Sequence, residues 1–228
     1  MVKNIRPHKV FMLVETQTYP EREMKVILPN MYTAELLTTA IQVALNKIVK
    51  TESYFEFGTF LGIQTLNIAM NMPDSAQVYT LDLDKPSFDK LEQDQYMDRY
   101  DKPVSEKHFE YADRLAFTET EYNDRITPLY GDSNDFDFSE FEGKLDMVYI
   151  DGGHDLRTLK SDTENGFKIV NPDTFSCVAW HDYTNPEFPQ IKKYLDEISS
   201  EHKIYHVEET TICFCFINAP QAVLDALE

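Results

Sequence analysis

Apolar residues along this chain alternate between two rhythms. Short apolar runs at 54–57, 77–81, 126–129, 145–150 and 175–180 read as strands. Between them, apolar positions three to four apart predict helices over 62–72, 85–97, 155–170 and 188–200. Strands alternating with helices imply an α/β fold, a parallel sheet with helices on both faces. Ahead of this block, Leu36, Leu37, Ala40, Ile41, Ala44 and Ile48 keep a helical period within 29–50. That helix packs beside the sheet or covers a ligand mouth. Residues 1–28 read as an irregular or weakly strand-like arm whose one apolar run is 9–14. Near the end, the runs at 203–208 and 211–217 are too close for a helical crossover, so they form an antiparallel hairpin. The 85–125 stretch exceeds what one crossover helix needs. It is rich in Asp, Glu and Tyr, lacks glycine, and reads as a helix plus an inserted lid or contact segment.

The 228 residues suit one domain, 1–228, with 1–50 as its N-terminal arm and helix. A net charge of −19 argues against nucleic acid or an anionic membrane as partner. No run of about 18 apolar residues occurs and the first residues lack a signal-peptide core, so a cytoplasmic location is expected. Three cysteines make no disulfide framework, and Cys213 and Cys215 alternate so as to share one strand face.

Five of the seven glycines follow apolar runs, which concentrates interest there. Glu56-x-Gly58-Thr59-x-x-Gly62 ends the first central strand and opens a helix. Glycine allows close backbone approach and a helix start offers unpaired N–H groups, as a nucleotide-like ligand requires, although a tight turn alone would look the same. Asp82 ends the next strand, where a carboxylate can accept both hydroxyls of a ribose; a loop or capping role is the alternative. Gly131-Asp132-Ser133 follows the third strand. Asp132 could accept from an adenine amino group and Ser133 could bond a ring nitrogen, or both could start a helix.

Asp151-Gly-Gly-His154 and His181-Asp182-Tyr183 end the last two parallel strands. Neighbouring strands would bring Asp151, His181 and Asp182 together, and close carboxylates repel unless a proton or cation lies between them. A divalent ion is one answer: Mg²⁺ or Ca²⁺ for carboxylates and water, Mn²⁺ or Fe²⁺ if His181 also ligates. Otherwise Asp182 caps a helix and His181 is an ordinary hydrogen-bonded histidine. His154, with an ordinary pKa near 6.5, suits a general base; orienting Asp151 or capping the next helix is the alternative.

Together these motifs resemble the class I S-adenosylmethionine-dependent methyltransferases, over roughly residues 50–218. The subgroup is the small-molecule one with Asp-Gly-x-His, related to the catechol-type O-methyltransferases. The resemblance implies a Rossmann-like, doubly wound, mostly parallel sheet of seven strands closed by the antiparallel hairpin. It implies S-adenosyl-L-methionine as cofactor, with Gly58, Thr59 and Gly62 lining the methionine moiety and Glu56 behind the turn. Asp82 would hold the ribose, and Asp132 with Ser133 the adenine. Asp151 and Asp182 match the acidic metal ligands, and Asp151 also borders the cofactor. His154 falls where the catechol-type enzymes carry a lysine. Tyr183 replaces an asparagine ligand, leaving His181 as the third candidate. Gln64 replaces a serine, so Gln64 or Thr65 would contact the cofactor carboxylate. Asn171-Pro172-Asp173 replaces the usual Pro-Gly-Gly turn.

The expected reaction is metal-assisted O-methylation of a small-molecule hydroxyl, with His154 and Asp151 as the catalytic pair. A metal-independent methyltransferase using His154 as base, and a non-catalytic cofactor-binding protein, are the competing readings. A dinucleotide enzyme would need glycines at the first, third and sixth positions, which 58–62 lacks. The aromatic side chains Tyr96, Tyr100, Phe109 and Tyr111 could form the contact face of a homo-oligomer.

Overall fold

A short edge strand, β1 (Lys3–Ile5), opens the chain and is followed by α1 (Pro7–Gln17) and α2 (Leu36–Val49). The computed structural model describes residues 1–17, 23–27, 36–93, 97 and 99–228; the expected helix start at 29–35, the end of the 85–97 helix at 94–96, and Tyr96 lie outside them. The alternating core comes next: β2 (Ser53–Phe57), α3 (Ile63–Ala69), β3 (Gln77–Asp82), α4 (Lys85–Gln93), α5 (Asp101–Tyr111) and β4 (Ile126–Tyr130). It continues through β5 (Met147–Ile150), α6 (Leu156–Ile169), β6 (Ser176–Trp180) and α7 (Pro189–Ile198). The hairpin β7 (Ile204–Val207) and β8 (Cys213–Ile217) and the helix α8 (Gln221–Leu227) complete it.

One sheet of eight strands runs β1-β7-β8-β6-β5-β2-β3-β4. Only β8 is antiparallel, wedged between β6 and β7. The seven expected strands are all present; the eighth, β1, corrects the count. It carries one buried apolar side chain, Ile5, and exists because β7 offers it a parallel edge. The rest of the arm is also corrected. The 9–14 run lies in α1, which buries Val10, Leu13 and Val14, a three-four spacing too short to separate from a strand by pattern alone. Pro7 suits the first helical position because its missing N–H would have had no helical partner there.

Both faces of the sheet are covered. Tyr54 of β2 packs into the core built with α1, α2, α3 and α8, whereas Phe55 and Phe57 pack into the core under α6 and α7. Cys213 and Cys215 share one face of β8, as expected, and all three cysteines are free and buried. Tyr100 and Phe109 pack edge-on against Phe188 and Phe88 of this same chain, so they are not a bare contact face. Among the described residues, no helix is long and apolar enough to cross a membrane.

Candidate active site

Strand order reverses between β2 and β5, and the loops leaving their carboxyl ends diverge there. This is where open α/β sheets bind ligands. The cleft at that point has about 810 Å³ of empty space, open solvent at its mouth included. Gly58, Asp82, Asp132, Ser133, Asp151 and His154 all line it. Glu56, Thr59, Gly62, Gln64, Thr65, His181 and Asp182 do not. Leu91, Met97, Asp101, Val104 and Ser105 bring the 85–125 segment into the wall.

Behind the cleft the glycine turn is held by side chains of its own. Gly58 has φ +94°, and a Cβ there would lie 2.1 Å from the carbonyl oxygen of Asp151. Its glycine is therefore demanded by the neighbouring strand end as well as by the turn. Gly62, at φ +73°, starts α3, and a Cβ on it would press 2.7 Å from the Phe117 ring. That glycine makes room for the inserted segment. Glu56 is buried, accepting from Thr65 Oγ1 at 2.5 Å and Thr80 Oγ1 at 2.9 Å, with Tyr54 Oη at 3.5 Å. Burial pushes its carboxyl up to about 8, even though the threonine hydroxyls favour the charged form. Thr59 Oγ1 meets Thr80 Oγ1 at 2.7 Å. Glu56, Thr59 and Thr65 thus tie β2, β3 and α3 together behind the turn, where Glu56 was expected; Thr59 and Thr65, expected beside a ligand, direct their hydroxyls into this network and not into the cleft lining. Gln64 has a buried Nε2 without a hydrogen-bond partner, away from the cleft lining.

Asp82 faces the cleft and also organises the turn. Its Oδ2 accepts from Thr59 N at 3.0 Å and Phe60 N at 2.7 Å, and its Oδ1 from Leu83 N at 2.8 Å. His108 of α5, to which the sequence assigned nothing, anchors the same turn through Nδ1 at 2.7 Å from the Phe60 carbonyl. Asp132 starts no helix. Its Oδ1 accepts from Asn134 N at 2.9 Å and Asn134 Nδ2 at 2.8 Å, an Asx turn.

A chain of alternating acids and histidines crosses one end of the cleft. Asp101 Oδ1 lies 2.5 Å from His154 Nδ1, and His154 Nε2 lies 3.0 Å from Asp182 Oδ2. Asp182 Oδ2 is 2.9 Å from His181 Nδ1, which stands 3.2 Å from Asp151 Oδ1. Phe188 stacks on the His154 ring at 3.8 Å. Burial works against a charge on His154, but the bonds to Asp101 and Asp182 prevail and raise it to about 10. Both ring nitrogens then donate, so in this arrangement His154 is a cation at neutral pH. A general base at this position would first have to lose that proton. Nor does it cap α6, since Asp155 accepts from Arg157 N and Thr158 N. Burial disfavours charge on Asp182, yet the bonds from His154, His181 and Asn185 hold it well below the usual carboxylate range.

Asp151, His181 and Asp182 offer ligand atoms that all lie within 4.8 Å of one another. Two carboxylates and an imidazole form a donor set that suits a divalent ion. Tyr183 is turned away, its hydroxyl donating to Asp196 at 2.7 Å. Asp101 and Phe188 were missed in the sequence because they carry no motif. The acidic first turn of α5 was the available signal for Asp101.

The profile of a methyltransferase domain family matches residues 55–183. The chain belongs to that family. No curated protein matches it. Solved structures show the fold of this methyltransferase repeated at low identity. Cofactor-bound Rv0187 from MTB is 12% identical with a TM-score of 0.57, covering 93% of this chain and 89% of that one. The O-methyltransferase from Bacillus cereus in complex with SAH is 14% identical with a TM-score of 0.51, covering 92% and 88%. A methyltransferase from Geobacter sulfurreducens is 14% identical with a TM-score of 0.52, covering 92% and 89%. The methyltransferase depends on S-adenosylmethionine, and the lining of its cleft fits such a group. Leu81, Leu83, Leu91 and Met97 offer apolar walls, Asp82 and Asp132 offer acceptors, and Gly131, Gly152 and Gly153 offer bare backbone.

Proposed function

We propose that this methyltransferase acts on a hydroxyl of a small molecule, with Asp151, His181 and Asp182 holding a divalent ion beside the acceptor. The observation that carries this reading is the position of Asp151. It lines the cleft and also belongs to the compact acid-histidine cluster. Bound S-adenosylmethionine would supply the methyl group on a cationic sulfonium. A divalent ion in the cluster would lower the pKa of the acceptor hydroxyl.

The side chains of the protein have the remaining tasks. Asp82, Asp132 and Ser133 bind the nucleoside half, and Gly58 lets the backbone approach the methionine half. The turn donates Thr59 N and Phe60 N to Asp82, so it is ordered before a ligand arrives. Leu91, Met97 and Val104 close the far wall and exclude water. His154 supplies positive charge between Asp101 and Asp182; taking a proton would require it first to lose its own. Oxygen as acceptor is also the reaction named for the Bacillus cereus structure.

Calorimetry with S-adenosylhomocysteine, with and without Mg²⁺ or Mn²⁺, tests the proposal. Binding at about 100 μM or tighter is expected, and no heat at that concentration sinks the cofactor assignment. Activity that survives exhaustive chelation would instead remove the ion from the mechanism.

A further inference from the structure

Asp162 occupies a position that the helical pattern reserves for an apolar side chain. Along α6 the buried residues are Thr158, Leu159, Asp162, Thr163, Gly166 and Ile169, one continuous face against the sheet. Asp162 is 1% exposed, and neither carboxyl oxygen has a hydrogen-bond partner. Ser133 is near enough to favour its charge but forms no bond of normal geometry. A buried polar group left unsatisfied costs on the order of 1–3 kcal/mol, so such groups call for an explanation.

Its surroundings supply one. Asp162 lines the cleft together with Ser133, Gly152 and Gly153. A Cβ on Gly152 would lie 3.0 Å from Asp162 Oδ2, so the carboxyl faces bare backbone at the nucleoside end. Asp132, the other acid there, already gives Oδ1 to Asn134. We infer that Asp162 reads the adenine of the cofactor, its carbonyl oxygen accepting from the exocyclic amino group and its O–H donating to the adjacent ring nitrogen. This rests on the S-adenosylmethionine reading above. A carboxylic acid matches that edge only when protonated, because an ionised carboxylate donates nothing. Burial pushes the Asp162 carboxyl up to about 8, with Asp132 and Asp155 adding to the rise and Ser133 opposing it.

Calorimetry on the full chain compares S-adenosylhomocysteine with its analogue carrying hydrogen in place of the adenine 6-amino group, which leaves the accepting oxygen of Asp162 without a donor. The unmodified protein is expected to prefer the adenosyl compound by about 100-fold. Asp162→Asn retains one donor and one acceptor and should keep most of that preference. Asp162→Leu should bring it below about threefold while melting at the same temperature or higher. A leucine variant that melts cooperatively and keeps both affinity and preference overturns the inference. If that variant does not fold, the unmodified protein decides. An analogue with carbon in place of the adenine N1 should bind at least about tenfold more weakly, and equal binding overturns the inference. Should the unmodified protein bind no S-adenosylhomocysteine at all, the cofactor assignment itself falls. Binding that is merely indifferent to Asp162 removes this residue alone.

Discussion

Glu56 and Asp162 are both buried carboxyls pushed up to about 8 by burial, yet their surroundings are opposite. Around Glu56, hydroxyls of Thr65, Thr80 and Tyr54 meet the carboxyl, and the network joins β2, β3 and α3. Around Asp162 no protein group completes the bonding. A polar group satisfied from within contributes to the fold, whereas one left open calls for an explanation, which for Asp162 is the adenine contact inferred above. The division extends along the sheet edge. The glycine turn is occupied with Asp82, His108 and Phe117, while Gly131, Asp132, Ser133, Asp151 and Asp162 line the cleft.

The largest effect that could break this division lies in the cluster. Asp151→Ala or Asp182→Ala should lower turnover on the order of 100-fold or more while leaving the thermal midpoint within a few degrees. A steady-state assay beside a melting curve checks both, and a large loss of stability with little loss of rate would invert the assignment. On the opposite side, Glu56→Ala strands the hydroxyls of Thr65 and Thr80 and opens a cavity. It should cost about 3 kcal/mol in denaturant unfolding, with cofactor affinity changing less than stability. Gly58→Ala places a Cβ 2.1 Å from the Asp151 carbonyl oxygen at φ +94°. Because the turn and the cluster meet there, stability and turnover should both fall, the former by about 2 kcal/mol or more.

A pH dependence tests what the two carboxyls share. In the unfolded chain Glu56 releases its proton near the ordinary 4.5 and Asp162 near 3.8; folded, both hold it to about 8. Between those limits the native state binds protons that the unfolded state lacks, so these groups make stability fall as pH rises from about 4 to about 8. Chemical denaturation across that window should show the decline, and Glu56→Gln and Asp162→Asn should each flatten it. A slope unchanged in both variants would remove the shared feature on which the comparison rests.

Much of the fold was legible in the chain because its signals are local. Five apolar runs and the spacing of the helices between them were enough for a parallel sheet with helices on both faces. The short gap before 211–217 was enough for the hairpin. The arm was misread because three residues of β1 carry no periodicity, and because 9–14 contains apolar positions that fit either a helix or a strand. At the site, Gly58, Asp82, Asp132, Ser133, Asp151 and His154 were identified from their places at strand ends, and all six line the cleft. Thr59, Gly62 and Thr65 were assigned to a ligand because their neighbours in sequence are, although their side chains or bare Cα atoms face the protein.

By itself the sequence determined which strands end in glycine or carboxylate, and therefore which edge of the sheet to expect a ligand at. Tertiary structure alone decided the chemical state of the groups on that edge. His154 is a cation because Asp101, 53 positions away, and Asp182, 28 positions away, reach its two nitrogens. The Asp162 carboxyl is pushed up to about 8 chiefly because helix packing removes water from it, with Asp132 and Asp155 adding to the rise and Ser133 opposing it. Protonation depends on burial and on charges brought close by the fold, and a linear pattern contains neither.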